Sequence, residues 1–192
     1  MYKNLLGQLW RLIVWPAKAW NILMSEREEK ITGNDYFFKT YLYPIIGIVA
    51  LLTFVGVFFH KKEFEIQLAL RLTIKVLIAL FAGFYLASFL LSKAIKRFFP
   101  ANGSFRLCQR FVGYSSALIY AIYMVLAIFP DFNFLQFILL YTIYIVWEGA
   151  SVYMQVPENE KSKFTAAATA IILLSPFIIE KIMFLTMPGM RA

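Results

Sequence analysis

The chain has very little of the residues on which disulfide and metal chemistry depend. Its 192 residues include one cysteine, Cys108, and one histidine, His60. One cysteine excludes an internal disulfide. A zinc site needs three or four converging ligands, usually His and Cys. We therefore predict no metal site, and nothing in the sequence calls for a cofactor.

Charged residues are also scarce. They make up 16% of the chain, whereas 61% is hydrophobic and 18% is aromatic. Soluble domains contain about 25% charged residues, and a soluble globule of this length has too little interior to bury so much apolar surface. The composition excludes a soluble enzyme, a disordered tail and a disulfide-rich secreted domain, which leaves an integral membrane protein.

The few charges are mostly positive, and the formal net charge is +8. The basic residues lie between apolar stretches and do not form one long run, which favours contact with anionic headgroups over nucleic acid. We expect the lipid bilayer, including anionic lipids, as a partner, and no nucleic acid.

Five apolar stretches are long enough to cross a hydrocarbon core, which requires about 20 helical residues. Backbone groups in lipid must be paired within the protein, so these stretches should be helices. The sequence predicts an all-α integral membrane protein with an interfacial segment over residues 1–40 and a five-helix transmembrane domain over residues 41–192. The predicted spans are about residues 41–59, 74–91, 111–129, 134–153 and 165–187.

Lys and Arg are unevenly distributed between the predicted loops. Most of them lie before the first span, between the second and third spans, and between the fourth and fifth. Cytoplasmic loops carry such an excess. The bias predicts a cytoplasmic N-terminus and an external C-terminus.

The first forty residues have an amphipathic pattern. Leu5, Leu9 and Leu12 recur at helical spacing, and Pro16 should break the helix and begin a second one. We predict an amphipathic helix in the inner headgroup layer, with Trp10, Trp15 and Trp20 as interfacial anchors. The alternative is a soluble helix packed on the cytoplasmic loops.

Small residues repeat every four positions in two neighbouring spans. The second span has Ala79, Gly83 and Ala87, and the third has Gly113, Ala117 and Ala121. This spacing places each trio on one helix face, where two backbones can approach closely. We predict that the second and third spans pack along these stripes.

Two carboxylates lie inside predicted spans, Glu148 in the fourth and Glu180 in the fifth. An ionised side chain in lipid must face a partner or water, and such residues are often functional. The alternative is that the spans end before them. Tyrosines in the third and fourth spans could hydrogen-bond Glu148 or free carbonyls in the bundle.

Four short motifs resemble one family of membrane proteins. They are Trp15-Pro16-Ala17-Lys18-Ala19-Trp20, Tyr41-Leu42-Tyr43-Pro44, Gly113-Tyr114, and the segment from Gly149 through Pro157 to Lys163. Together they are similar to the Yip family, the Ypt/Rab-interacting multi-pass membrane proteins, and to its short bacterial branch. The resemblance implies five spans with a cytoplasmic N-terminus, in the cytoplasmic (inner) membrane of a bacterium.

The Tyr43-Pro44 pair has two interpretations. Proline fits the first turn of a helix, and Tyr43 would lie at headgroup level. The functional alternative is a docking position for a partner helix or a lipid. The candidate binding residues are Tyr43, Pro44, Gly113, Tyr114, Glu148 and Glu180.

The sequence offers no catalytic constellation. No deep serine is placed to reach His60, and paired acidic metal ligands and phosphate-binding glycine loops are absent. We predict a non-enzymatic membrane organiser that binds lipids, other membrane proteins or a second copy of itself. The alternative is a small-solute or ion transporter that uses Glu148 and Glu180.

Overall fold

Helices make up the regular structure of this protein. The computed structural model describes residues 2–29, 34–60, 66–98 and 104–186, and these ranges contain no strand. Four helical stretches are long and apolar enough to cross a membrane: Phe38–Val57, Ile66–Ile95, Asn133–Val152 and Glu158–Thr186. The predicted all-α membrane architecture is confirmed.

The third predicted span is a pair of helices and not one straight helix. Helix α6 covers Phe105–Ser115 and α7 covers Ala117–Ile128, and the two are bent by 42° at the break. The hydroxyl of Ser116 and its backbone N–H both donate to the Val112 carbonyl, at 2.8 and 2.9 Å. Such back-bonding often accompanies a bend, and the ψ angle of Ser116 departs from the helical value to 4°. If the bent pair is one span, the number of spans is the predicted five.

The first span begins earlier than predicted. A short helix α3, Asn34–Phe37, continues through a π-helical turn, Phe38–Leu42, into α4, Tyr43–His60. The backbone N–H of Tyr43 donates to the Phe38 carbonyl, five residues back. Pro44, in the first turn of α4, therefore follows residues that are already helical.

The remaining spans also differ in detail from the predicted boundaries. Helix α5, Ile66–Phe98, is much longer than the predicted 74–91. The fourth span begins as a 3-10 helix, Asn133–Tyr141, and continues as α8, Thr142–Val152. Helix α9 covers Glu158–Thr186, so the predicted end of the fifth span at residue 187 lies outside the described residues.

Residues 2–29 form two helices that pack onto the bundle. Helix α1 covers Tyr2–Val14 and α2 begins at Pro16 and ends at Glu29, as the proline predicted. Helix α1 contacts α6 and α7, and α2 contacts α8. Their buried leucines belong to the same hydrophobic core as the spans. We call this end of the bundle the proximal end, and the opposite end, where α4 ends and α5 begins, the distal end.

The second and third spans do pack together, since α5 contacts α6, but the glycines of the two stripes have different nearest neighbours. A β-carbon added to Gly83 would lie 3.0 Å from the backbone of Pro176 in α9, and one added to Gly113 would overlap the ring of Phe37 in α3. The bend at Ser116 separates Gly113 in α6 from Ala117 and Ala121 in α7, so these three residues do not share one straight face. Ala79, Gly83 and Ala87 lie on a helix whose main partner is α9.

Candidate functional site

An aromatic cluster fills the proximal end of the bundle around Trp20. The indole stacks on Phe111 with ring centroids 5.4 Å apart, and it also contacts Tyr114 and Tyr153 at 6.2 and 5.2 Å. Its Nε1–H donates to the Ile145 carbonyl of α8 at 2.9 Å. The cluster joins α2, α6 and α8, and we call it the Trp20 cluster.

Trp20 is fully buried, so its predicted role as an interfacial anchor is wrong. Trp20 and Leu23 are three residues apart on α2, so the same face of the helix turns both side chains inward. Trp10 and Trp15 differ, since 62% and 56% of their surfaces are exposed. Only these two remain candidates for membrane-surface anchors.

Two glycines provide the space that the rings occupy. A β-carbon on Gly149 would overlap Trp20 and Phe111, and one on Gly113 would overlap Phe37. Phe37 in turn packs on Tyr114 at 5.1 Å, and Tyr41 packs on Tyr114 at 4.7 Å. The Gly113-Tyr114 motif therefore has a structural role in this packing.

Tyr43 and Pro44 lie apart from the Trp20 cluster. Tyr43 is 47% exposed, and its ring packs beside Phe38 at 5.5 Å and Phe81 at 6.0 Å. The structure thus leaves part of Tyr43 accessible at the surface of the bundle, as a docking position requires.

The N-terminal helices carry a second apolar face that the bundle does not cover. Leu6, Trp10 and Val14 of α1 are exposed, while Leu5, Leu9 and Leu12 on the other face are buried. Basic residues flank the exposed face: Arg11 is exposed, and the Lys18 ammonium lies 5.8 Å from the centre of the Trp15 ring. Apolar and basic side chains are thus mixed on the outward surface of α1 and α2.

A cavity of about 360 Å³ opens at the distal end of the bundle. Residues from α4, α5, α7, the 3-10 helix and α9 line it, and most of them are apolar. Five of the lining side chains are polar: Thr53, Lys75, Tyr123, Gln136 and Glu180. The hydroxyl of Tyr123, which also lines the cavity, donates to Glu180 Oε1 at 2.7 Å. We call this the distal cavity.

The two carboxylates singled out in the sequence lie in different places. Glu180 lines the distal cavity, but Glu148 does not. Glu148 is half-buried on α8 next to Gly149, towards the proximal end. Among the tyrosines of the third span, Tyr123 donates a hydrogen bond to a carboxylate, and this carboxylate is Glu180 and not Glu148. Tyr141 and Tyr144 are exposed and pack on each other at 5.5 Å.

Sequence reasoning missed Lys75 as a site residue. A lysine near the end of an apolar stretch is usually read as a side chain that reaches the headgroups. Lys75 and Glu180 are far apart in the sequence, so the sequence did not indicate that both line one cavity. Within the described ranges, no three His, Cys, Asp or Glu side chains come together as a metal site would require.

Comparison with known proteins identifies the family. No curated protein and no solved structure matches the chain. The sequence model of the Yip1 domain matches residues 10–179, a range that includes the Trp20 cluster and all but the last part of α9. The chain, a polytopic membrane protein, therefore belongs to the Yip1 domain family.

Proposed function

We propose that this protein is a non-enzymatic membrane organiser that gathers anionic lipids and neighbouring membrane proteins at its proximal surface. The observation that supports this most directly is the double apolar character of α1. One face, with Leu5, Leu9 and Leu12, is buried in the protein, and the other face, with Leu6 and Trp10, is exposed. A helix that is apolar on both sides suits a position between the bundle and a lipid leaflet.

The charge distribution supports the same proposal. Most basic side chains whose positions are described lie at the proximal end: Arg11, Lys18, Arg27, Lys39, Lys93, Arg106, Arg110, Lys161 and Lys163. The distal half carries Arg71, Lys75 and Lys181. A basic residue close to an anionic leaflet contributes about 1 kcal/mol to membrane binding. The proposal includes a proximal end in the cytoplasm of a bacterium and a distal end outside.

Transport through the bundle has less support. A transport pathway that passed both Glu148 and Glu180 would need the two carboxylates to border one polar route. Glu148 does not line the distal cavity. The cavity walls around Glu180 are mainly apolar. The exposed face of α1 and the proximal charges are explained better by lipid and protein binding.

The test measures lipid selectivity in proteoliposomes by electron paramagnetic resonance of spin-labelled lipids. We expect phosphatidylglycerol to be immobilised at the protein in preference to phosphatidylcholine, and high salt to weaken the preference. The double variant Arg11→Gln/Lys18→Gln should reduce it, whereas Lys181→Gln at the distal end should not. Equal immobilisation of the two lipids would contradict the proposal, and proton flux that is lost in Glu180→Gln would favour transport.

A further inference from the structure

The distal cavity holds a carboxylate and an ammonium group between apolar walls. Glu180 comes from α9 and Lys75 comes from α5, and both line the same space. We propose that this cavity binds one zwitterionic phospholipid with a primary amine, that is, a phosphoethanolamine headgroup with part of an acyl chain. The amine would contact Glu180 and the phosphate would contact Lys75. This site is separate from the proximal surface of the proposed function.

Glu180 has an oriented carboxylate that can bind a cation. Its Oε1 accepts the Tyr123 hydroxyl at 2.7 Å, which fixes the orientation of the carboxylate. The side chain is half-buried, and Oε2 has no hydrogen bond to a described residue. A carboxylate offers about four acceptor positions, so most of those on Glu180 are available. An ammonium group, with three donors, complements it.

Lys75 is the counterpart for an anion. It is half-buried, and it makes no ion pair within 4.0 Å and no hydrogen bond with any described residue, Glu180 included. Two opposite charges in one apolar cavity that do not pair directly leave room for a ligand carrying both signs. A phosphate adjacent to an ammonium has that arrangement, and the phosphate oxygens accept strong hydrogen bonds from lysine.

The apolar walls fit the rest of such a lipid. Leu72, Val76, Leu126 and Phe177 line the cavity beside the two charges. Its volume of about 360 Å³ lies within the range of about 300–1,000 Å³ for small-molecule sites. Each methylene group of an acyl chain that leaves water contributes about 0.8 kcal/mol. The headgroup supplies specificity and the chain supplies affinity.

Lys75 lies close enough to the start of α5 for its ammonium group to reach the membrane boundary. Helix α5 has 33 residues and is about 50 Å long at a rise of about 1.5 Å per residue. The hydrocarbon core is about 30 Å thick, so α5 must extend beyond it. Lys75 lies nine residues after the first residue of α5, Ile66, and a snorkelling ammonium group there can reach the boundary.

The experiment compares headgroups on the intact chain. The protein is purified in detergent, depleted of lipid, and offered an equimolar mixture of dioleoyl phosphatidylethanolamine, phosphatidylcholine and phosphatidylglycerol. Retained lipid is counted by native mass spectrometry. We expect one phosphatidylethanolamine to be retained at least about tenfold more strongly than phosphatidylcholine, because choline cannot donate a hydrogen bond to Glu180.

Two variants separate the roles of the charges. Glu180→Gln should remove the preference for ethanolamine over choline, and Lys75→Gln should weaken retention of both lipids. The matched controls are Asp131→Asn and Lys181→Gln, an exposed carboxylate and an exposed lysine that do not line the cavity. Equal retention of phosphatidylethanolamine and phosphatidylcholine by the unaltered protein would overturn the proposal even if a variant failed to fold, whereas phosphatidylglycerol bound at the proximal surface does not affect this comparison. An unchanged preference in a folded Glu180→Gln protein would also overturn it.

Discussion

The indole N–H of Trp20 donates to the Ile145 carbonyl at 2.9 Å and joins two residues 125 positions apart in the sequence. This bond ties α2 to the middle of the fourth span. The N-terminal helices are therefore part of the bundle, and their position on α8 is set by a specific polar contact as well as by apolar packing.

Replacing Trp20 by phenylalanine should destabilise the protein. The variant loses the buried hydrogen bond to Ile145 and part of the stacking on Phe111, a loss of roughly 1–3 kcal/mol. For a chain of this size each kcal/mol lowers the melting temperature by about 2–4 °C. Thermal unfolding in detergent measures the change. Trp15→Phe, at a side chain that is 56% exposed, is the control, and equal melting temperatures for the two variants would contradict the expected role of Trp20.

A methyl group at Gly149 should also be harmful. Its β-carbon would overlap the rings of Trp20 and Phe111, and overpacking of this kind costs about 1–3 kcal/mol. Gly47→Ala is a matched control in another span, because a β-carbon there meets nothing within 4 Å. We expect Gly149→Ala to lower the melting temperature and Gly47→Ala to leave it unchanged or raise it slightly. If both variants melt like the unaltered protein, the contact is not close.

Gly83→Leu should weaken the contact between α5 and α9. The leucine side chain would meet the backbone of Pro176, which already lies 3.0 Å from the position of a β-carbon. Backbone atoms cannot turn aside as a flexible side chain can, so the two helices must separate. We expect a lower melting temperature than for Gly47→Leu. A melting temperature equal to that of Gly47→Leu would show that α9 can shift without loss.

The bent pair α6–α7 determines the number of crossings, and we expect it to be one span. Ser104 precedes α6 and Asp131 follows α7, and both are exposed. In a Cys108→Ala background, Asp131→Cys should react with a membrane-impermeant maleimide on intact cells. Ser104→Cys should react only after the cells are opened. Labelling of both positions from the same side would mean that α6 and α7 re-enter the membrane and that the chain crosses four times.

Sequence patterns predicted the features that depend on local chemistry. Apolar length predicted where helices would cross lipid, because backbone groups have no partner there except each other. Pro16 predicted the break between α1 and α2, since proline has no N–H to continue the first helix. These inferences need only neighbouring residues, and the structure confirms the long apolar helices and the break at Pro16.

Features that depend on distant residues could not be predicted in this way. Trp10, Trp15 and Trp20 look alike in an amphipathic pattern, and only the space left by Gly149 and the face of Phe111 makes Trp20 a buried residue. The spacing of small residues identified the face of α5 that lacks large side chains. It did not show that Pro176 of α9 lies against that face. At the bend the ψ angle of Ser116 is 4°, but its sequence does not distinguish it from Ser88, which makes the same hydroxyl bond inside the unbroken helix α5.

In the candidate site, too, the sequence indicated the local feature but not the contacts between distant residues. Glu180 was identified because a carboxylate in an apolar stretch needs a partner. The partner, Tyr123, is 57 residues away in sequence, and Lys75 is on a third helix. Periodicity predicts the face of a helix on which a charge lies, but the helix that packs against that face is decided by tertiary packing.

The burial of Trp20 has a consequence for any shortened form of the protein. Deleting the first 29 residues would remove side chains that belong to the core of the bundle. It would leave a gap the size of an indole ring, bordered by Phe111, Tyr114 and Tyr153, and the spans would have to collapse inward or admit lipid to fill it.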